Sequence, residues 1–176
     1  MIDPASFRDP SGFIVHEGDR VLRVINAVYE KEYRHFTESG LSELLITKNL
    51  LIPHQEFIHD KRYSDDQYKT LRVEKIPILS YPYEWCFSQL KDAALLTLQI
   101  EEIAIEHGMM LKDATAYNVQ FHRGKAIFID TLSFDLAGQN FEWKAYKQFC
   151  EFFLVPLCLM AYKDPRLAVL LKDFIN

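Results

Sequence analysis

The chain is poor in cysteine, carries no excess of positive charge and has no long apolar run. Its three cysteines, Cys86, Cys150 and Cys158, show neither metal nor disulfide spacing. They are expected to be reduced core thiols of a cytoplasmic protein. The most apolar stretch, Phe149 to Tyr162, is too short to span a bilayer and contains Glu151 and Pro156, so it reads as a buried helix. The opening MIDPASFRDP holds no basic segment followed by an apolar one, so no signal peptide is read there. A net charge of −5 argues against a broad nucleic-acid-binding face. No G-x-S-x-G, H-E-x-x-H, paired-cysteine zinc site, internal repeat or low-complexity tract occurs, which removes the common hydrolase and zinc chemistries.

What is present is the material of one globular domain: 176 residues, 49% hydrophobic and 26% charged. Pro4 and Pro10 break up an irregular start. Phe13 to His16 and Val21 to Ile25 alternate like strands around the turn Glu17-Gly18-Asp19, a hairpin. A helical pattern follows from Tyr29 to Asn49, with Ser39-Gly40 as an internal break, and Leu51-Ile52-Pro53 ends it. His54 to Lys75 is polar and reads as a flexible surface hairpin or loop. Ile76 to Ser80 is a strand candidate that Pro77 confines to an edge. Ser88 is expected to cap a helix running to His107, with Asp92 in its first turn. Its apolar positions exceed one face, which predicts a largely buried helix. Helices are also expected near Trp143 to Leu159 and Pro165 to Phe174, their aromatics at core spacing.

The stretch EHGMMLKDATAYNVQFHRGKAIFIDTLSF, Glu106 to Phe134, carries the chemistry. Its helix stops at His107-Gly108, where Gly takes the left-handed conformation without penalty. A polar loop places Asp113 five residues before Asn118. Val119 to Phe121 alternate, Arg123-Gly124 turns, and Ala126 to Ile129 form a strand with Asp130 at its exit. This order predicts that Asp113, Asn118 and Asp130 converge. Two carboxylates and an amide suit a hard cation such as Mg²⁺ and the phosphates it carries. Taken singly, each residue also has a plainer reading: Asp113 as a loop cap, Asp130 as a turn residue, Arg23 as an exposed strand residue.

Asp113-x-x-x-x-Asn118, a hairpin and Ile129-Asp130 together resemble the catalytic segment of the protein-kinase-like superfamily. The aminoglycoside-phosphotransferase-like branch is nearer than the classical kinases. The resemblance implies an α+β, two-lobed fold in a single domain, with a reduced N-lobe over residues 1–80 and a hinge and minimal or partial helical C-lobe over residues 81–176. It also implies roles. Asp113 orients or deprotonates an acceptor hydroxyl, and Asn118 and Asp130 hold Mg²⁺ on the phosphates of ATP. Lys112, where classical kinases have Arg, stabilises charge on the transferred group. Arg23 is the strand cation toward the phosphates, with Glu32, Glu38 or Glu43 as its helix partner. Tyr81 to Trp85 stand at the hinge: Trp85 packs the junction, while Tyr81 and Tyr83 either pack it too or wall the adenine site, Tyr83 being the candidate contact. Thr131-Leu132 replace Phe-Gly, and no G-x-G-x-x-G is present, so Asp9 to Gly12 is the candidate phosphate-covering loop.

The chain, YPYEWCFSQLKDAALLTLQIEEIAIEHGMMLKDATAYNVQF above all, is also similar to the front part of bacterial SAM-dependent methyltransferases, some of them nodulation-related. The SAM site of those proteins lies downstream, and these residues contain no glycine-rich strand–loop–helix of that kind. The resemblance thus implies part of a longer protein. Three functions stay open: phosphotransfer from ATP to a small-molecule or glycan hydroxyl, a catalytically weak kinase-like accessory module, and a substrate-presenting module beside a methyltransferase domain.

Overall fold

The computed structural model describes residues 2–3, 9–138 and 142–175, with the side chains of 173–175 excepted. Pro4 lies outside them. The N-terminal half is a four-stranded antiparallel sheet with two helices. Strands β1 (Gly12–Glu17) and β2 (Arg20–Asn26) form the expected hairpin, with Gly12 opposite Ile25 and Glu17 opposite Arg20. Their alternation divides the sheet's two faces. Val15, Leu22 and Val24 pack with Phe13, Phe57 and Tyr63 on one side, and Ile25 enters the main core on the other. Helices α1 (Glu30–Glu38) and α2 (Leu41–Thr47) divide at Ser39-Gly40 as expected and bury Tyr33, Phe36, Leu41 and Leu45.

The segment after α2 corrects the sequence reading. Of the two alternatives for His54 to Lys75, the hairpin holds, but it is part of the main sheet rather than a flexible surface element. It contains β3 (His54–Glu56) and β4 (Gln67–Val73), and β4 sits between β2 and β3 in the order β1-β2-β4-β3. Lys69 and Arg72 make β4 look like surface, yet Thr70 and Leu71 between them are buried. Ile76 to Ser80, expected as an edge strand, forms none, and Ile78 and Leu79 are exposed. Pro77 has no N–H for a ladder, and the sheet has already ended at Val73.

Helix α3 (Phe87–Glu106) begins one residue before Ser88. Its N-cap is Cys86, whose N–H donates to Gln89 Oε1, so neither Ser88 nor Asp92 has the expected capping place. The helix buries one face, including Leu90, Ala93, Ile100 and Ala104. Leu95, Leu98 and Ile105 stay exposed, so it is less buried than its composition suggested. Beyond Gly108, β5 (Met109–Leu111) pairs with β8 (Phe134–Leu136), two short strands read from the sequence as loop. Between them lies the expected hairpin of β6 (Val119–His122) and β7 (Lys125–Phe128).

The chain then makes α4 (Tyr146–Phe149), a π-helical turn over Cys150–Leu154, α5 (Val155–Tyr162) and a 3₁₀ segment, Pro165–Ile175. The first expected helix therefore starts and ends three residues later, while the second starts at Pro165 as read but is 3₁₀. The apolar run from Phe149 to Tyr162 is only half buried, with Leu154, Val155 and Tyr162 exposed. The expectation of core thiols also fails for Cys86 and Cys158, which are exposed, while Cys150 is half-buried; all three are free. One main core runs from Ile25 to Leu171 and joins both halves. Among the described residues no helix is long and apolar enough to cross a membrane.

Candidate functional site

The site is assembled from three pieces of chain. The first is the turn after β5. Lys112 N–H donates to Ser133 C=O, so the chain leaves β5 still tied to the start of β8. Asp113 Oδ1 accepts the Thr115 N–H at 3.0 Å, a capped turn, and a 3₁₀ turn at Ala116–Asn118 delivers Asn118 to the start of β6. The second piece is the exit of β7. Ile129 N–H donates to Asn118 C=O, which fixes Asp130 beside the loop's end. The third is β2, which contributes Arg23.

These pieces meet at Asp130. Its Oδ1 accepts from an Arg23 guanidinium nitrogen at 2.5 Å and from the Leu132 N–H at 3.2 Å. Its Oδ2 accepts from the Ser133 hydroxyl, which in turn accepts from Asn118 Nδ2 at 3.1 Å. The side chains of Arg23 and Asp130 are only 13% and 16% exposed, so this is a mostly buried ion pair rather than a surface one. Arg23 is thus not the exposed strand residue of the plain reading. Its partner is Asp130, and not Glu32, Glu38 or Glu43 on the helices. Arg23 Nε is buried with no hydrogen-bond partner.

Asp113 stands close enough to feel this pair. Burial pushes its carboxyl above the ordinary carboxylate range, and the charge on Asp130 adds to the shift. The Thr115 N–H and the Asn118 side chain pull the other way. Asp113, Asn118 and Asp130 therefore gather as the spacing predicts. Among the described residues no three His, Cys, Asp or Glu side chains group to hold a metal ion.

Lys112 turns toward the N-terminal loop. Its ammonium donates to Ser11 Oγ at 2.7 Å, lies 4.7 Å from the centre of the Tyr29 ring and 3.8 Å from Asp9 Oδ2. The Asp9 to Gly12 loop is itself tied down. Ser11 N–H donates to Asp9 Oδ1, and Asn26 N–H donates to Ser11 C=O. Gly12 is pressed so closely on Val24 C=O and Leu132 that no Cβ fits. Tyr29, Ser11 and Ser133 were not anticipated from sequence. Only Ser133 left a trace, three residues after Asp130 where a hydroxyl can bond back to it.

The segment between the halves is fastened too. Gln120 accepts the Ser80 N–H at 3.0 Å and donates to its C=O at 2.9 Å. Trp85 is buried, donates to Ser80 Oγ and meets Phe121 edge-on, the junction packing read from the sequence. Tyr83 stacks flat on Tyr81, ring centres 5.4 Å apart, with the Lys172 ammonium 5.9 Å from its own ring. Its ring contacts thus lie toward the C-terminal segment.

No protein-family model matches the chain. Over 162 residues it is 38% identical to the nodulation protein NoeA of Rhizobium meliloti (strain 1021), a match covering 90% of this chain and 33% of that protein. The chain thus spans about a third of the length of the curated relative it matches. In structure it is similar to vaccinia related kinase 3, with a TM-score of 0.50 at 12% identity over 80% of this chain and 50% of that one. The chain has a protein-kinase-like fold and a nodulation-related relative.

Proposed function

We propose that the chain is a kinase-like domain that binds Mg²⁺-ATP and presents it to a small-molecule or glycan hydroxyl. The observation that carries this reading is the Arg23–Asp130 pair with Asn118 and Asp113 gathered around it. A strand cation facing a carboxylate is what a phosphate-bound cation needs, since the phosphates pair with the guanidinium and the metal with the carboxylate. The residues fit: Asp130 and Asn118 supply hard oxygen donors, and the buried Arg23 Nε is a donor without use. When bound, Mg²⁺ supplies charge neutralisation to the phosphates. Arg23 would then orient the phosphates, Asn118 and Asp130 would hold the cation, and Ser11 on the Asp9 to Gly12 loop already holds Lys112. Asp113, with its raised affinity for a proton, orients the acceptor hydroxyl and takes its proton.

A second reading has its own observation. Arg23 and Ser133 already occupy both Asp130 oxygens, so the ion pair can stand in for a ligand and leave a catalytically weak module. Thermal unfolding separates the two. Binding of Mg²⁺-ATP at 100 times its dissociation constant stabilises by about 2.7 kcal/mol. For a domain of this size that raises Tm by roughly 5–10 °C. No shift with millimolar Mg²⁺-ATP leaves the second reading standing. Asp113→Asn distinguishes chemistry from capping, because the amide still accepts the Thr115 N–H. Turnover is expected to fall by roughly 10² or more, the usual worth of a positioned base, while Tm hardly moves. Undiminished turnover reduces Asp113 to a loop cap.

A further inference from the structure

The backbone on either side of Asp113 is held from outside the loop by three side chains. Leu111 N–H donates to Glu101 Oε2 at 2.7 Å, and Leu111 C=O accepts from Trp143 Nε1 at 3.0 Å. Ala114 N–H donates to Gln148 Oε1 at 2.6 Å. Of the three, Glu101 is out of place by ordinary packing rules. It stands inside α3 on the helix's buried face, 5% exposed, and its other oxygen, Oε1, is buried with no hydrogen-bond partner. An apolar residue would cover that face at lower cost, since a buried carboxyl with one donor is poorly compensated. The one backbone group it serves is the N–H that precedes Lys112 and Asp113.

We propose that Glu101 is the positioning residue of the 112–118 loop: its carboxyl fixes the Leu111 backbone and thereby the direction in which Asp113 leaves β5. The consequence for catalysis rests on the phosphotransfer reading; the geometry does not. Burial pushes the Glu101 carboxyl up from 4.5 to about 7, opposed only by the Leu111 N–H. No charged group on α1, α2, β5, the loop, α4, α5 or the rest of α3 contributes to that shift. The neutral carboxyl is therefore the form that suits the folded protein. Because the folded value lies above the unfolded one, its contribution to stability is complete below about pH 4.5 and is lost as pH rises through about 7. Glutamine keeps an acceptor for Leu111 and never charges.

The test uses the whole chain as wild type, Glu101→Gln and Glu101→Leu, with amide exchange by NMR and urea unfolding from pH 5 to 8. In Glu101→Leu, exchange at Leu111 relative to global unfolding is expected to rise about tenfold, the equivalent of one lost hydrogen bond, and the Thr115 amide resonance to move. Glu101→Gln should keep both at their wild-type values. Its unfolding midpoint should lack the fall that wild type shows between pH 5 and 7. Unmoved Leu111 and Thr115 amides in Glu101→Leu overturn the proposal, as do parallel pH profiles of wild type and Glu101→Gln. An activity assay keeps the two readings apart. If wild type transfers no phosphate while the amides respond as expected, the phosphotransfer reading fails and the positioning role stands.

Discussion

Arg23→Met is expected to lower the unfolding free energy by about 3–5 kcal/mol, the cost of leaving one member of a buried ion pair unpaired. That is a large share of the roughly 5–15 kcal/mol a domain of this kind has. The reason lies in the mostly buried side chains of Arg23 and Asp130 and in what else Asp130 holds. Its oxygens also accept from Leu132 N–H and Ser133 Oγ, so an unbalanced charge there disturbs the turn into β8 as well. Changing both members, as Arg23→Met with Asp130→Leu, is expected to recover part of the loss, because no lone charge remains. Urea unfolding measures all three variants. A cost below about 1 kcal/mol for Arg23→Met would place the pair with exposed salt bridges. The same variant bears on the cation. With Arg23 gone, Mg²⁺ alone is expected to stabilise the protein more than it does wild type, since Asp130 then lacks its charged partner and keeps only the Leu132 N–H and the Ser133 hydroxyl.

Gly12→Ala is the other substitution with a large expected effect. A Cβ at that position meets Val24 O at 2.1 Å and Leu132 Cδ1 at 2.7 Å. Neither neighbour can easily give way. Gly12 is in register opposite Ile25, and the Asn26 N–H bonds Ser11 C=O next door. Overpacking of this kind costs about 1–3 kcal/mol, and here the first clash is with backbone, which places the expected loss at the upper end. The Ser11 hydroxyl should leave Lys112 as the loop shifts. Gly18→Ala is the control. Gly18 has φ +58° with nothing within 4 Å of a new Cβ, so it carries only the left-handed strain, about 1–2 kcal/mol. Comparable unfolding midpoints for the two variants would show that a small backbone shift relieves the clash with Val24 C=O.

The local features that proved legible were those written in short-range chemistry. Gly18 and Gly40 mark real turns, His107-Gly108 ends a real helix, and Arg123-Gly124 joins β6 to β7. The order helix, loop, hairpin and Ile129-Asp130 was enough to gather Asp113, Asn118 and Asp130, because so few residues separate them that the hairpin itself brings them together. A hairpin over His54 to Lys75 was legible, but the central place of β4 in the sheet was not, because it comes from its long-range pairing with β2, which leaves no local mark on a lysine- and arginine-bearing segment. Strands β5 and β8 were missed for a similar reason, each being three residues long and stable only as the other's partner.

The sequence by itself determined which residue types stand around the site and their order along the chain, since turn chemistry and side-chain periodicity act over a few residues. Only the tertiary structure decided that Arg23 faces Asp130 across 107 positions rather than a helix glutamate, that Lys112 reaches back 101 positions to Ser11, and that Glu101 holds the backbone before Asp113. Those choices follow from how the sheet docks on the loop and how α3 packs beneath it, and docking depends on the shape of the whole core.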